Sequence, residues 1–191
     1  MSIRIGAEKK AEELGYTIIK NPSLDSDNFN DLMGILAIGL FNENQVKQIK
    51  SLNENVVFIG TNYPLDDFDT INGDFARATE LALEFLRKNG HKKIGLIGAE
   101  NQSSLFGYRK YRSPSIYTFI DYMKYHNLLN EDWVFVKDTD EPNINVGEEL
   151  MSKVIDLPLD NRPTAFLIVN DSMALGCMNI MKKIKSIFLM I

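Results

Sequence analysis

A chain of 191 residues that is 45% hydrophobic and 25% charged has enough apolar material for one ordinary globular domain or two small lobes, which argues against a disordered chain. Its formal net charge of −5 argues against a nucleic-acid surface, because phosphate binding needs clustered cations and the pairs Lys9–Lys10, Lys92–Lys93 and Lys182–Lys183 fall in separate segments. The single cysteine, Cys177, has no partner for an internal disulfide, no apolar run reaches the ~20 residues of a membrane span, and charges occupy the place of a signal peptide's apolar stretch, so a cytoplasmic setting is expected.

In chain order, Ile3, Ala7, Ala11 and Leu14 recur at helical spacing and stop at Gly15, and the apolar run Tyr16–Ile19 predicts a strand directly after. A second buried strand is predicted over Met33–Ile38, a polar helix over 43–52, and a third strand over 56–60. From Asp74 an amphipathic helix sets Phe75, Ala78, Ala82, Phe85 and Leu86 on one face, ends at Asn89-Gly90 and leads into the strand Lys93–Ile97. A helix over 113–125, a strand over 133–136, a helix over 146–155 and a strand over 165–169 follow, and Asp171 opens a last helix with Ala174, Cys177, Met178 and Met181 inward. Strands without polar interruption that alternate with helices predict an α/β fold with parallel sheets and right-handed crossovers, in which ligands bind beyond the carboxyl ends of the strands.

Enzymatic chemistry finds little to build on. The chain lacks a phosphate-cradling G-x-x-x-x-G-K-[ST] loop, a G-x-S-x-G nucleophile elbow and an H-E-x-x-H metal helix. Gly95 and Gly98 lie within a strand rather than at a strand-to-helix turn, where close sheet packing accounts for them better than a dinucleotide site. His91 and His126 have no adjacent catalytic partners and are read as structural. Asp66, Asp67, Asp69 and Asp74 do not have the spacing of a calcium loop, so solvated carboxylates are expected there, Asp74 excepted. Cys177, between apolar neighbours, reads as a small core residue, and no cofactor or metal is expected.

The block Asp74…Ala82-Leu83-Glu84-Phe85-Leu86…Asn89-Gly90-His91-Lys92-Lys93-Ile94-Gly95-Leu96-Ile97-Gly98 resembles the lactose/galactose repressor (LacI/GalR) family of transcription regulators. So does Arg162-Pro163-Thr164-Ala165-Phe166-Leu167-Ile168-Val169-Asn170-Asp171-Ser172-Met173-Ala174-Leu175-Gly176, and the segment from Ile3 to Tyr16 is similar to the family's first helix and second strand. The segment Tyr111–Met123 looks closest to the galactose-repressor branch.

The resemblance implies a periplasmic-binding-protein-like core of two Rossmann-like lobes, 1–98 and 99–191, the second incomplete. Such a core closes on a small effector, usually a sugar, and works as a homodimer without catalysis. It implies ligand contact from Asn170, at the end of a buried strand, whose amide offers both donor and acceptor. Asp74 matches a cleft-facing acid of the family and equally suits a helix cap for Arg77. Asp171 is read as the cap of the last helix. The family's cleft arginine is replaced by Ser115, and Arg112, three residues earlier, either reaches the same space or lies exposed.

The family also leads one to expect a helix-turn-helix and a first strand before residue 2, so DNA contact is expected only through a missing N-terminal domain. The apolar ending Ile187–Ile191 is unlike the family's continuation. Unpaired strand edges and an exposed apolar tail are therefore expected, with marginal stability or self-association. The alternative reading is a periplasmic-type sugar-binding transport protein of the same fold.

Overall fold

The computed structural model describes residues 3–20, 29, 32–60, 68–100 and 113–183, together with the backbone of 105–106, 109–110 and 189–190. The chain divides into two units: Met1–Gly73 with Leu105–Arg109, and Asp74–Ser104 with Lys110–Ile191. The sequence reading divides the lobes at 98/99, whereas the contacts divide ahead of residue 74, because the strand that follows is the centre of the second unit's sheet.

In the first unit, α1 (Ile3–Glu13) precedes three parallel strands in the order β1 (Ile35–Ile38), β2 (Val56–Ile59), β3 (Asp69–Ile71), with α2 (Glu43–Leu52) between the first two. Helix α2 begins where it does because Asn42 and Gln45 form a reciprocal capping box, the Gln45 amide donating to Asn42 Oδ1 at 3.0 Å and the Asn42 amide to Gln45 Oε1 at 2.9 Å. Strand periodicity buries Ala37, Val56 and Phe58, along with Val46 and Ile49 of α2, while Leu36 and Ile71 on the opposite face stay exposed. Phe58 is held edge-on between Phe41 and Phe68, with ring centroids 5.7 and 5.2 Å away.

The strand expected over Tyr16–Ile19 does not form: these residues are non-regular, and Tyr16 and Ile19 are more than half exposed. A strand needs a neighbour to accept its amides, and among the described residues none pairs with this run. Helix α1 likewise buries no residue. Strand β1 has β2 on one side only among the described residues.

The second unit has three layers. Its parallel sheet runs β7 (Val134–Asp138), β4 (Ile94–Glu100), β8 (Ala165–Ile168), β9 (Leu189–Met190). The apolar ending thus supplies a strand, Leu189 opposite Ala165 and Met190 opposite Phe166. Alternation along the strands feeds two cores. On one face Ile94, Leu96, Ala165 and Leu167 meet Leu83 and Leu86 of α3 (Phe75–Lys88) and Ile116, Phe119 and Met123 of α4 (Pro114–Tyr125). On the other, Ile97 and Phe166 meet Leu150, Met151 and Val154 of α5 (Ile144–Ile155) and Met173, Cys177 and Met181 of α6 (Asp171–Lys183). Each fully buried Leu, Ile, Val, Phe or Met among them contributes about 1.5–3 kcal/mol. Helix α5 starts two residues before its predicted 146, because the Asn143 side chain accepts from the Val146 amide at 3.2 Å. A separate two-stranded sheet joins β5 (Leu105–Phe106) and β6 (Arg109–Lys110).

Candidate functional site

In a strand–helix–strand fold each helix begins where the preceding strand ends. The carboxyl edge of the second unit's sheet is therefore crowded with helix N-termini, whose unpaired amides and dipoles favour polar and anionic groups. Two bonds fix the edge: the Thr139 amide donates to the Glu100 carbonyl at 2.8 Å, and the Val169 amide to the Ile97 carbonyl at 3.1 Å. Polar side chains gather there at the ends of β4, β7 and β8.

Asn170, directly beyond β8, is half-buried. Its Oδ1 accepts from the Met173 amide at 2.8 Å, and its Nδ2 donates to the Pro142 carbonyl at 3.4 Å. Asn170, rather than Asp171, is thus the cap of α6, and Asp171 is the first residue inside the helix. The swap has a simple cause, since the residue one position before the helix is the one whose short side chain reaches the third amide. After both bonds the Asn170 amide group still has one N–H and one acceptor lone pair to offer.

Ser115 sits in the first turn of α4, half-buried, after Ser113 and with Pro114 pre-organising the helix start. Asp74 caps α3, its Oδ1 accepting from the Arg77 amide at 2.8 Å, and is exposed. Because α3 runs back toward the start of β4, Asp74 stands at the same end of the sheet. Asn170, Ser115 and Asp74 therefore share one chemistry: each is at a helix N-terminus. Arg112 lies outside the described residues.

The other reactive groups are structural. His91 Nδ1 lies 2.9 Å from Thr164 Oγ1, which in turn donates to the Lys93 carbonyl at 3.2 Å, so the hydroxyl proton is committed and the ring donates. His126 Nε2 lies 3.0 Å from a guanidinium nitrogen of Arg87, which also donates to Tyr122 Oη at 3.0 Å. Burial pushes the Cys177 thiol up to about 12, which removes it as a nucleophile at neutral pH. Among the described residues no group of three His, Cys, Asp or Glu is placed to hold a metal ion, and no helix is long and apolar enough to cross a membrane.

A groove of about 560 Å³ in the first unit is lined by Gly34–Leu36, Glu54–Val57, Phe68 and Asp69. These residues start the strands, so the groove lies at the amino edge, the end of a parallel sheet where ligands are not expected. Sequence reasoning missed the Asn143 cap and the tight approach of α5 to α6, in which a Cβ on Gly147 would strike the Met173 carbonyl oxygen and one on Gly176 the Ile144 carbonyl oxygen. Pro142-Asn143 and the pair of in-helix glycines were the available signals.

The alternating order, two parallel sheets and polar helix starts along one carboxyl edge define a periplasmic-binding-protein-like α/β protein. Consistent with that class, the family profile described as "Periplasmic binding protein-like domain" matches residues 83–185, more than half of the chain.

The HTH-type transcriptional regulator GanR of Bacillus subtilis is 32% identical over 154 residues, covering 76% of this chain and 43% of that protein. The HTH-type transcriptional regulator GalR of Lacticaseibacillus casei is 25% identical over 187 residues, covering 97% and 55%. Among solved structures, transcription regulator CcpA of Lactococcus lactis has a TM-score of 0.77 at 18% identity, covering 98% of this chain and 70% of that one. A LacI-family regulator from Lactobacillus casei with bound sucrose has a TM-score of 0.72 at 18% identity, covering 95% and 68%. The chain belongs to the LacI/GalR family and corresponds to its effector-binding core. It spans about half the length of the curated relatives it matches.

Proposed function

We propose that this chain is the sugar-sensing core of a cytoplasmic LacI/GalR-type regulator, a homodimeric binding module without catalytic activity that meets DNA through a separate helix-turn-helix domain. The effector lies at the carboxyl edge of the second unit's sheet, where Asn170, Ser115 and Asp74 contact its hydroxyls, and Arg112 is the further expected contact. The observation that carries this reading is Asn170: it is positioned by its bonds to Met173 and Pro142 yet keeps a donor and an acceptor, the pair a sugar hydroxyl needs. Such pre-positioned groups discriminate, because a buried polar group without its matching hydroxyl costs about 1–3 kcal/mol. The sucrose- and glucose-bound structures of a Lactobacillus casei relative favour a neutral saccharide.

Calorimetric titration with a panel of mono- and disaccharides and phosphosugars tests the reading. Saturable binding of one sugar is expected. Asn170→Ala abolishes it and also weakens the α6 cap by about 1 kcal/mol, whereas Asn170→Asp keeps the cap but loses both the N–H donated to the Pro142 carbonyl and the one offered to the ligand. A folded protein that binds none of the panel overturns the sensor reading, and turnover of any sugar overturns the non-catalytic one.

A further inference from the structure

The sequence holds two asparagine-glycine pairs, Asn72-Gly73 and Asn89-Gly90. Such a pair can modify itself, because a glycine without a Cβ leaves its own backbone nitrogen open to the asparagine side chain before it. Both pairs are exposed, so access to water does not separate them. Their hydrogen bonds do.

Asn89-Gly90 closes α3. The Gly90 amide donates to the Arg87 carbonyl at 2.9 Å and the His91 amide to the Leu86 carbonyl at 3.1 Å, while Asn89 Nδ2 donates to the Phe85 carbonyl at 2.8 Å. The nitrogen that would attack is thereby committed to the helix end, and the side chain that would receive the attack is turned back along the helix. Asn72-Gly73 instead lies in the short join between β3, which ends at Ile71, and α3, which begins at Phe75. The join is non-regular, and among the described residues neither the Asn72 side chain nor the Gly73 amide has a hydrogen-bond partner. The Gly73 amide proton is open to solvent, and the Asn72 side chain is free to fold over its own backbone.

We infer that Asn72 is a site of spontaneous deamidation, a covalent modification that the fold confines to one of two identical pairs. The Gly73 nitrogen gives its proton to solvent and attacks Asn72 Cγ. The new N–Cγ bond closes a cyclic succinimide as the Cγ–Nδ2 bond breaks, and Nδ2 takes up a proton and leaves as ammonia. Water then opens the ring at one carbonyl or the other, which leaves aspartate or, where the main chain now runs through the side-chain carbon, isoaspartate. No oxidant, reductant or enzyme is required. Each product sets a new carboxylate two residues before the Asp74 cap and makes the formal net charge of −5 more negative by one. Isoaspartate also lengthens by a methylene the join at which the chain passes from the first unit to the second.

The test is to hold the native full chain in mildly alkaline buffer at body temperature for days, with ion exchange and peptide mapping by tandem mass spectrometry. An acidic form about 1 Da heavier is expected to accumulate, with aspartate and isoaspartate at residue 72 and intact asparagine at residue 89. In guanidinium chloride, where the α3 end is gone, both positions should convert. Asn72→Gln, whose longer side chain closes a ring far more slowly, removes the acidic form of the native chain. Gly73→Ala slows it by crowding the nitrogen, and Gly73 is not among the positive-φ glycines, so alanine fits there. Both substitutions fall on exposed, non-regular backbone, so circular dichroism and melting stay unchanged. Conversion at residue 89 as fast as at residue 72 in the native chain overturns the inference. So does an Asn72 that stays intact in the native chain while the denatured chain converts.

Discussion

Gly176→Ala probes how closely α5 and α6 must approach. A Cβ at 176 overlaps the Ile144 carbonyl oxygen and comes within 2.9 Å of the Glu148 backbone nitrogen. An ordinary carbon–oxygen contact is about 3.3 Å or longer, so the helices must part by about 1 Å. Both obstacles are backbone atoms in a helix and cannot swing aside. Parting the helices loosens Leu150, Met151, Val154, Met173, Cys177 and Met181, all in one core cluster, and a gap of about 0.5–1 Å already forfeits a quarter to a half of each dispersion contact. Overpacking of this kind costs about 3 kcal/mol, while replacing a mid-helix glycine by alanine returns about 1 kcal/mol of helix propensity. The net expectation is a loss of about 2 kcal/mol, read as a lower urea midpoint with an unchanged slope by circular dichroism. Gly147→Ala meets the Met173 carbonyl from the other helix and behaves alike. Once either alanine has separated the helices the second has less to displace, so the double variant loses less than the sum of the two. A midpoint that stays put or rises in Gly176→Ala, as propensity alone would give, refutes this account of the helix contact.

Two further outcomes follow from side-chain chemistry. Cys177, with its thiol pushed up to about 12 by burial, should react with an aromatic disulfide reagent only as fast as the protein opens, and rapid stoichiometric labelling of the native chain contradicts this. The Glu149 carboxyl is held below its ordinary value by hydrogen bonds first from Lys137 and then from Lys153. A depressed carboxylate adds stability above its unfolded-state pKa and loses it as pH falls through the native value. Lys137→Met should therefore melt slightly below the parent at neutral pH and converge with it in acid, where a widening gap would reject the linkage.

The elements legible in the sequence are those whose local and tertiary signals agree. Helix α2 appears at its predicted residues because a capping box fixes its start, and α3 because its apolar face, its Asp74 cap and the Gly90 turn coincide. Tyr16–Ile19 fails for the opposite reason: its residues favour a strand, but strand formation is decided by a neighbour's edge, which no property of the run itself encodes. At the candidate site, the position of Asn170 at a strand end was legible, while its use as the α6 cap was not, because Asn170 and Asp171 are both good capping residues and only the backbone geometry selects one.

The two segments that carry the family resemblance prove to be chiefly a packing code. Across β4 and β8 they meet face to face: Thr164 bonds His91 and the Lys93 carbonyl, and a Cβ on Gly95 would stand 2.5 Å from the Phe166 ring. Met173 and Gly176 serve the α5–α6 contact. These contacts occupy the sheet's amino edge and its interior, away from the carboxyl edge where a ligand is expected, and of the second segment the stretch Val169–Ser172 reaches that edge. Of the proposed ligand contacts, Asp74 and Asn170 belong to these segments, while Ser115 and Arg112 lie outside both. Under the proposed site, Ser115 in place of the expected arginine would take a planar donor fork from the effector side without touching those packing contacts, so the fold and family are compatible with an effector unlike that of a given relative.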